Sequence, residues 1–331
     1  MPSRRRWEAA ALHRRWSFDQ GGESGRQPDR RGGLPLPEPP SLLGHGSGAP
    51  SPKVIEMNAD SAFVIGATHS ICQDYVVAGN PSTTTPYVIL SDGCSSSPET
   101  DIGARLLVKS AESLLKTVSI GDIADLHAAA AAAALDLAAS VGLKPQAVDA
   151  TLLTGHVQEN ELVLACSGDG VLMVQGCSGV IEAYSISYPS GYPFYPAYTH
   201  QPDRLAALEF GRDPQKEIRY FRGDSNQSTL RLEDTFRSGE RTEVCRFDAQ
   251  SYLYAVLLSD GVHSFCSLRG SESSKSARPI WFQALARELV SFKNVRGAFA
   301  GRRLKRFLKD SALNGWQHTD DLALGAFYLG D

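Results

Sequence analysis

Long apolar runs, paired cysteines and an excess of positive charge are all missing from this sequence, and each absence argues against a class of function. No window approaches the roughly 18 consecutive apolar residues of a membrane-spanning helix, so no membrane partner is expected. Six cysteines in 331 residues, at 72, 94, 166, 177, 245 and 266, include no C-x-x-C pair. A chain long enough to bury its own core does not need a disulfide framework, and the spacing argues against a structural zinc site. Reduced thiols fit a cytoplasmic protein. The basic start at Arg4, Arg5 and Arg6 is followed by an apolar run only from Ala9 to Leu12. A secretory signal needs about 7–15 apolar residues there. The net charge is −4, so no basic field points to nucleic acid.

What is present divides at about residue 53. Residues 1–53 are rich in Arg, Gly, Pro and Ser, with nine Lys/Arg against five Asp/Glu. They read as a disordered leader, because such a segment buries too little apolar surface to offset its ordering entropy. From residue 54 the hydrophobic patterning becomes dense. Short β-branched and aromatic runs at Ala62–Ala67, Tyr75–Ala78 and Tyr87–Leu90 predict strands. Apolar residues at helical spacing predict helices over 102–118 and 122–140, the second alanine-rich. Strands are expected near 149–157, 161–167, 170–175, 179–187 and 252–258, helices over 279–292 and 299–309, and a last strand at Leu322–Leu329. That order predicts an α+β protein with two sheets covered by helices.

The stretch near 184–250 reads as an irregular insertion. Its start, SYPSGYPFYPAY at 187–198, carries four tyrosines and three prolines. It fits either a flap that touches substrate or a surface loop with its own aromatic cluster.

Four short motifs place aspartates at strand ends: C-Q-D at 72–74, L-S-D-G at 90–93, L-S-D-G at 258–261 and T-D-D-L at 319–322. A hairpin joining the strands at 75–78 and 87–90 brings Asp74 beside Asp92. An antiparallel pairing of the strands ending at Leu258 and beginning at Leu322 does the same for Asp260 and Asp320. Each Asp-Gly taken singly is an ordinary turn signal. Four carboxylates converging need compensation, and oxygen-ligated divalent cations supply it.

With G-A-T-H-S-I-C-Q-D (66–74), I-L-S-D-G-C-S-S-S (89–97), D-I-G-A (101–104), D-A-T-L-L (149–153), A-C-S-G-D-G (165–170), L-L-S-D-G-V (257–262) and T-D-D-L-A-L (319–324) in this order, the sequence resembles the metal-dependent protein serine/threonine phosphatases of the PPM, or type 2C, family, and in particular their bacterial branch. The resemblance implies a four-layer αββα sandwich of two antiparallel sheets flanked by helix pairs, spanning 54–331. It implies two Mn²⁺ or Mg²⁺ ions, with Asp92 bridging them and the Gly93 carbonyl as a further ligand. Asp74 would serve one ion, Asp260 and Asp320 the other, and Asp169 a weaker third. The implied reaction is hydrolysis of phosphoserine or phosphothreonine in proteins by a metal-bridging hydroxide, opposed in the cell by a serine/threonine kinase.

The chain departs from the family at four places. His69 stands where many members carry a phosphate-gripping arginine, and it lacks the bidentate fork. Gln73 replaces an acidic residue, Ser264 another. Cys94 replaces the histidine that serves as general acid. Cys94 and His69 are therefore the candidate proton donors beside Asp92, Asp260 and Asp320. The alternative reading is a catalytically weakened domain that binds a phosphorylated or regulatory partner. Ser95–Ser97 are expected to cap the following helix. His156, His263 and His318 are expected to be hydrogen-bonded residues rather than ligands.

Overall fold

The computed structural model describes residues 57–79, 86–117, 122–210, 214–224, 226–267 and 277–330. The leader expected over 1–53 lies outside the described residues.

Two antiparallel sheets form the centre. The five-stranded sheet has the order β10-β5-β4-β3-β2, from β2 (Asp74–Gly79), β3 (Tyr87–Asp92), β4 (Leu152–Gln158), β5 (Glu161–Ser167) and β10 (Thr242–Asp248). The seven-stranded sheet has the order β1-β15-β11-β6-β7-β8-β9. Its strands are β1 (Asn58–Val64), β6 (Gly170–Gly176), β7 (Val180–Ser187), β8 (Lys216–Asp224), β9 (Arg231–Ser238), β11 (Tyr252–Leu258) and β15 (Leu322–Tyr328). The central strands β3, β4, β6, β11 and β15 are apolar on both faces, because each lies between the other sheet and a helix pair.

Helices α1 (Thr100–Thr117) and α2 (Ile123–Ser140) cover the five-stranded sheet. The buried stripe of α1 is Thr100, Gly103, Ala104, Leu107, Val108 and Ala111, the three-and-four spacing of one helix face. Asp122 caps α2 by accepting from the Ala124 N–H at 2.9 Å. The buried alanines 130, 131, 134 and 138 of α2 face the same core. By length and composition α2 could cross a membrane, but this alanine face packs as a core helix. On the other side α4 (Phe282–Leu289) and α5 (Phe299–Leu313) cover the seven-stranded sheet, with Phe282, Leu285, Phe299, Leu304 and Phe307 in its core. The expected layers are present.

Two features differ from the sequence expectations. A third sheet, β13 (Arg278–Pro279), β12 (Phe265–Ser267) and β14 (Trp316–His318), was not anticipated, because each strand is too short to carry a pattern. The stretch near 184–250 is also far from irregular. It supplies the end of β7, a short helix α3 (Pro202–Glu209), strands β8 and β9, and β10, which crosses to the other sheet. Among the described residues its Pro-rich start, 188–201, carries no strand.

Candidate active site

The sheets bring the aspartates together from both sides. Asp74 and Asp92 are direct cross-strand partners in the β2–β3 pair. In the other sheet β11 and β15 pair with Leu258 opposite Leu324, so Asp260 leaves one strand where Asp320 enters the next. Two glycines allow this approach. A Cβ on Gly261 would overlap the Asp321 carbonyl, and one on Gly66 would overlap the backbone of Asp320. Asp169 sits in the turn between β5 and β6, where Gly168 and Gly170 take positive φ.

Ser259 links the two sheets. Its hydroxyl donates to Asp74 Oδ2 at 2.6 Å and accepts from the Ala323 N–H at 2.9 Å. The other oxygen of Asp74 is buried with no hydrogen-bond partner among the described residues. Burial, with the charge of Asp260 second among the raising causes, pushes the Asp74 carboxyl up to about 8. Burial and then Asp260 push Asp169 to about 8 as well. Asp92 is raised well above the carboxylate range by burial, then by Asp74 and Asp260. Asp320 is raised by burial and Asp260. Asp74, Asp92, Asp169, Asp260 and Asp320 thus form one electrostatic group in which repulsion and burial outweigh the cations at its edge, Lys216 towards Asp169 and His69 towards Asp320.

Asp320 and its neighbour divide the labour. Ser264 accepts from the N–H groups of Thr319 and Asp320, both at 3.1 Å, and donates to the Gly261 carbonyl at 2.7 Å, fixing the turn that presents Asp320. Asp321 is turned inward and accepts from the N–H groups of Gly66 at 2.7 Å and Gln73 at 2.6 Å. It holds the loop leading to Asp74. His69 lies against this pair, its Nδ1 3.0 Å from Asp321 Oδ2 and its Nε2 3.4 Å from Asp320 Oδ1. The Nδ1 contact is a charge pairing without hydrogen-bond alignment. Asp321, with smaller help from Asp320, raises the imidazole above its ordinary value.

Cys94 follows the Asp92–Gly93 turn. Gly93 donates to the Gln73 carbonyl at 3.2 Å, and Cys94 donates its N–H to the Asp149 carbonyl at 2.8 Å. The sulfur lies 3.1 Å from Ser96 Oγ. Burial pushes the thiol up, but hydrogen bonding from Ser96, Tyr195 and Ser97 outweighs it and the net shift is downward. Ser97 does not take the expected capping role; its hydroxyl donates to Asp149 Oδ2 at 2.7 Å. Asp149 also receives both terminal nitrogens of Arg204 at 2.7 Å. The Tyr/Pro-rich segment therefore does two things. Tyr188, Phe194 and Leu208 form a small core of their own, and α3 fastens to the loop beside Cys94. Of the remaining histidines, His263 pairs with Ser185 at 3.0 Å and His318 with the Ile65 carbonyl at 3.2 Å. His156 Nδ1 has no partner among the described residues.

The donor set fits divalent cations in its chemistry: oxygen ligands, an orphaned carboxylate oxygen and crowded negative charge. Among the described residues no three side chains of His, Cys, Asp or Glu close on one ion position.

The family description "Protein phosphatase 2C" matches residues 67–309, and the chain belongs to that family. Among solved structures, a bacterial serine phosphatase is similar at TM-score 0.50 and 13% identity, covering 83% of this chain and 99% of its own. The serine/threonine phosphatase Stp1 from Staphylococcus aureus is similar at 0.48 and 13%, covering 82% and 95%. The catalytic domain of the protein phosphatase PstP in complex with 2 manganese ions is similar at 0.43 and 14%, covering 82% and 97%. No curated protein matches the sequence.

Asp321, Ser259, Asp149 and Arg204 were not singled out from the sequence for the parts they play. The one usable signal was the doubled aspartate in T-D-D-L, where only one of the two can face outward.

Proposed function

We propose that this protein hydrolyses phosphoserine and phosphothreonine in proteins, with two Mn²⁺ or Mg²⁺ ions held by Asp92, the Gly93 carbonyl, Asp74, Asp260 and Asp320. The observation that carries the reading is the group of five mutually repelling carboxylates gathered at the ends of two sheets. Asp169 would hold a third ion more weakly, since Ser264 offers a hydroxyl where a carboxylate would help. When bound, the cations supply Lewis acidity, lowering the pKa of water and neutralising charge on the phosphoryl oxygens.

The chain's own residues do the rest. Ser259 fixes Asp74, and Ser264 fixes the backbone at Asp320. His69, its pKa raised chiefly by Asp321, presents its Nε2 at the side of Asp320. Cys94 and Tyr195 lie together beside the Asp92–Gly93 turn, where a departing alkoxide would need a proton. A serine/threonine kinase as the opposing partner and a cytoplasmic setting belong to the same proposal.

Purified full-length protein is assayed on an aryl phosphate and a phosphothreonine peptide with Mn²⁺, with Mg²⁺ and in excess chelator. Turnover that requires the cation is expected; turnover that persists in chelator overturns the reading. The engagement of His69 by two aspartates favours one second reading, a phosphopeptide-binding domain with little turnover. Tight peptide binding without cation-dependent hydrolysis would select it.

A further inference from the structure

A second group of polar side chains lies in the helical layer over the seven-stranded sheet. A cavity of about 400 Å³ opens between α4 and α5 and reaches β14, walled by Ala284, Leu285, Phe307 and Trp316, with Glu288 and Arg303 among its polar residues. Arg303 is unexpected there. It lies in the buried stripe of α5 with Phe299, Ala300, Leu304 and Phe307, where packing alone would favour an apolar residue.

The side chain of Arg303 is 5% exposed and that of Glu288 is 55% exposed. Nη1 donates to the Ser291 carbonyl at 3.3 Å. Nη2 lies 3.6 Å from Glu288 Oε2, within charge-pairing range and beyond hydrogen-bond range. Nε and Nη2 have no hydrogen-bond acceptor among the described residues. These two nitrogens form the edge of a guanidinium that matches the two oxygens of a carboxylate. Its charge is paired and Nη1 is bonded, but Nε and Nη2 lack acceptors among the described residues.

We propose that this cavity binds a small carboxylate with an apolar body. The carboxylate takes the Nε–Nη2 edge of Arg303, and the body lies against Leu285, Phe307 and Trp316. Glu288 is an internal stand-in that the ligand displaces, its half-exposed side chain swinging out to water. Asp310, also at the cavity and 3.8 Å from Arg306 Nε, adds a second negative charge. The site therefore favours a monoanion over a phosphate dianion. Nothing here rests on the phosphatase reading.

Phenylacetate is titrated into the full chain in excess chelator, followed by tryptophan fluorescence and thermal shift. A saturable response at millimolar concentration is expected, with phenethyl alcohol at least about tenfold weaker. Arg303→Met should weaken binding by about tenfold or more, and Glu288→Gln should strengthen it severalfold. Trp316→Phe should remove the fluorescence change and keep the thermal shift. If Arg303→Met does not fold, Ala284→Phe decides, since it fills the cavity without removing a charge and should abolish binding. No saturable response, equal binding of the alcohol, or binding unaltered by Glu288→Gln and Ala284→Phe would each overturn the proposal.

Discussion

Asp74 and Asp149 are both about 1% exposed and both border the loop that follows Asp92, yet the chain treats them in opposite ways. Asp149 receives a two-pronged contact from Arg204 and a hydroxyl from Ser97, all at 2.7 Å. Asp74 receives one hydroxyl, leaves one oxygen without a partner, and faces other carboxylates. A buried charge is costly unless paired and hydrogen-bonded. The first region is complete within the polypeptide and its role is structural. The second is not completed by partners within the polypeptide, and protons or the proposed cations would relieve its repulsion. Burial by itself separates nothing here; the partner list does.

The largest expected effect comes from removing a charge on the unfinished side. Asp92→Asn should lower cation-dependent turnover by several orders of magnitude, because the proposed central ligand is lost. In excess chelator the same variant should melt higher than the parent, since one repelling charge has gone. Steady-state kinetics and a thermal melt check both halves. A lower melting temperature in chelator would break the contrast with Asp149.

On the finished side the sign reverses. Arg204→Met leaves Asp149 buried without its cation and should cost about 3 kcal/mol, at the lower end of the range for breaking a buried pair because Arg204 is 30% exposed. Denaturant unfolding with and without Mn²⁺ measures it, and the loss should be the same in both.

The pH dependence sharpens the same point. Asp74 and Asp169 are raised to about 8, far above the unfolded carboxylate range. The folded, cation-free protein therefore binds more protons than the unfolded chain between about pH 4 and 8. Its stability is greatest below that window and falls as pH rises through it. Thermal melts in chelator from pH 5 to 8.5 should show a drop of a few degrees, and saturating Mn²⁺ should flatten or invert the slope. Melting temperatures that rise with pH in chelator would contradict the assigned crowding.

These regions were unequally legible in the sequence. The Asp74–Asp92 and Asp260–Asp320 juxtapositions follow from strand ends and antiparallel pairing, which are short-range rules. Which of Asp320 and Asp321 turns inward depends on N–H groups at Gly66 and Gln73, about 250 residues away, and no local pattern announces that. The Arg204–Asp149 contact joins residues 55 apart across a Pro-rich segment that carries no periodicity. Strand β9, RLEDTFRS, was hidden because it is an exposed edge strand and shows almost no buried face.

Cys94 stands between the two regions, and the smallest predicted effect belongs to it. Its N–H is tied to the finished side through the Asp149 carbonyl, while Asp92 lies two residues before it. Expelling a serine alkoxide calls for a proton, and general-acid help is typically worth about 10²–10⁴-fold. A thiol shifted downward by Ser96, Tyr195 and Ser97 against the effect of burial holds its proton less firmly than an ordinary cysteine. Two cations nearby would favour the thiolate further. Aryl phosphates need that proton much less, because a phenolate whose conjugate acid has a pKa of about 10 leaves readily. The parent should therefore prefer aryl over serine phosphates strongly, and Cys94→His should narrow the kcat/KM ratio by about tenfold, mainly by speeding the phosphoserine peptide. Comparing one aryl phosphate with one phosphoserine peptide in both proteins decides it. An unmoved ratio would mean that the proton comes from elsewhere, and Tyr195→Phe in the same assay would then ask whether the phenol beside Cys94 supplies it.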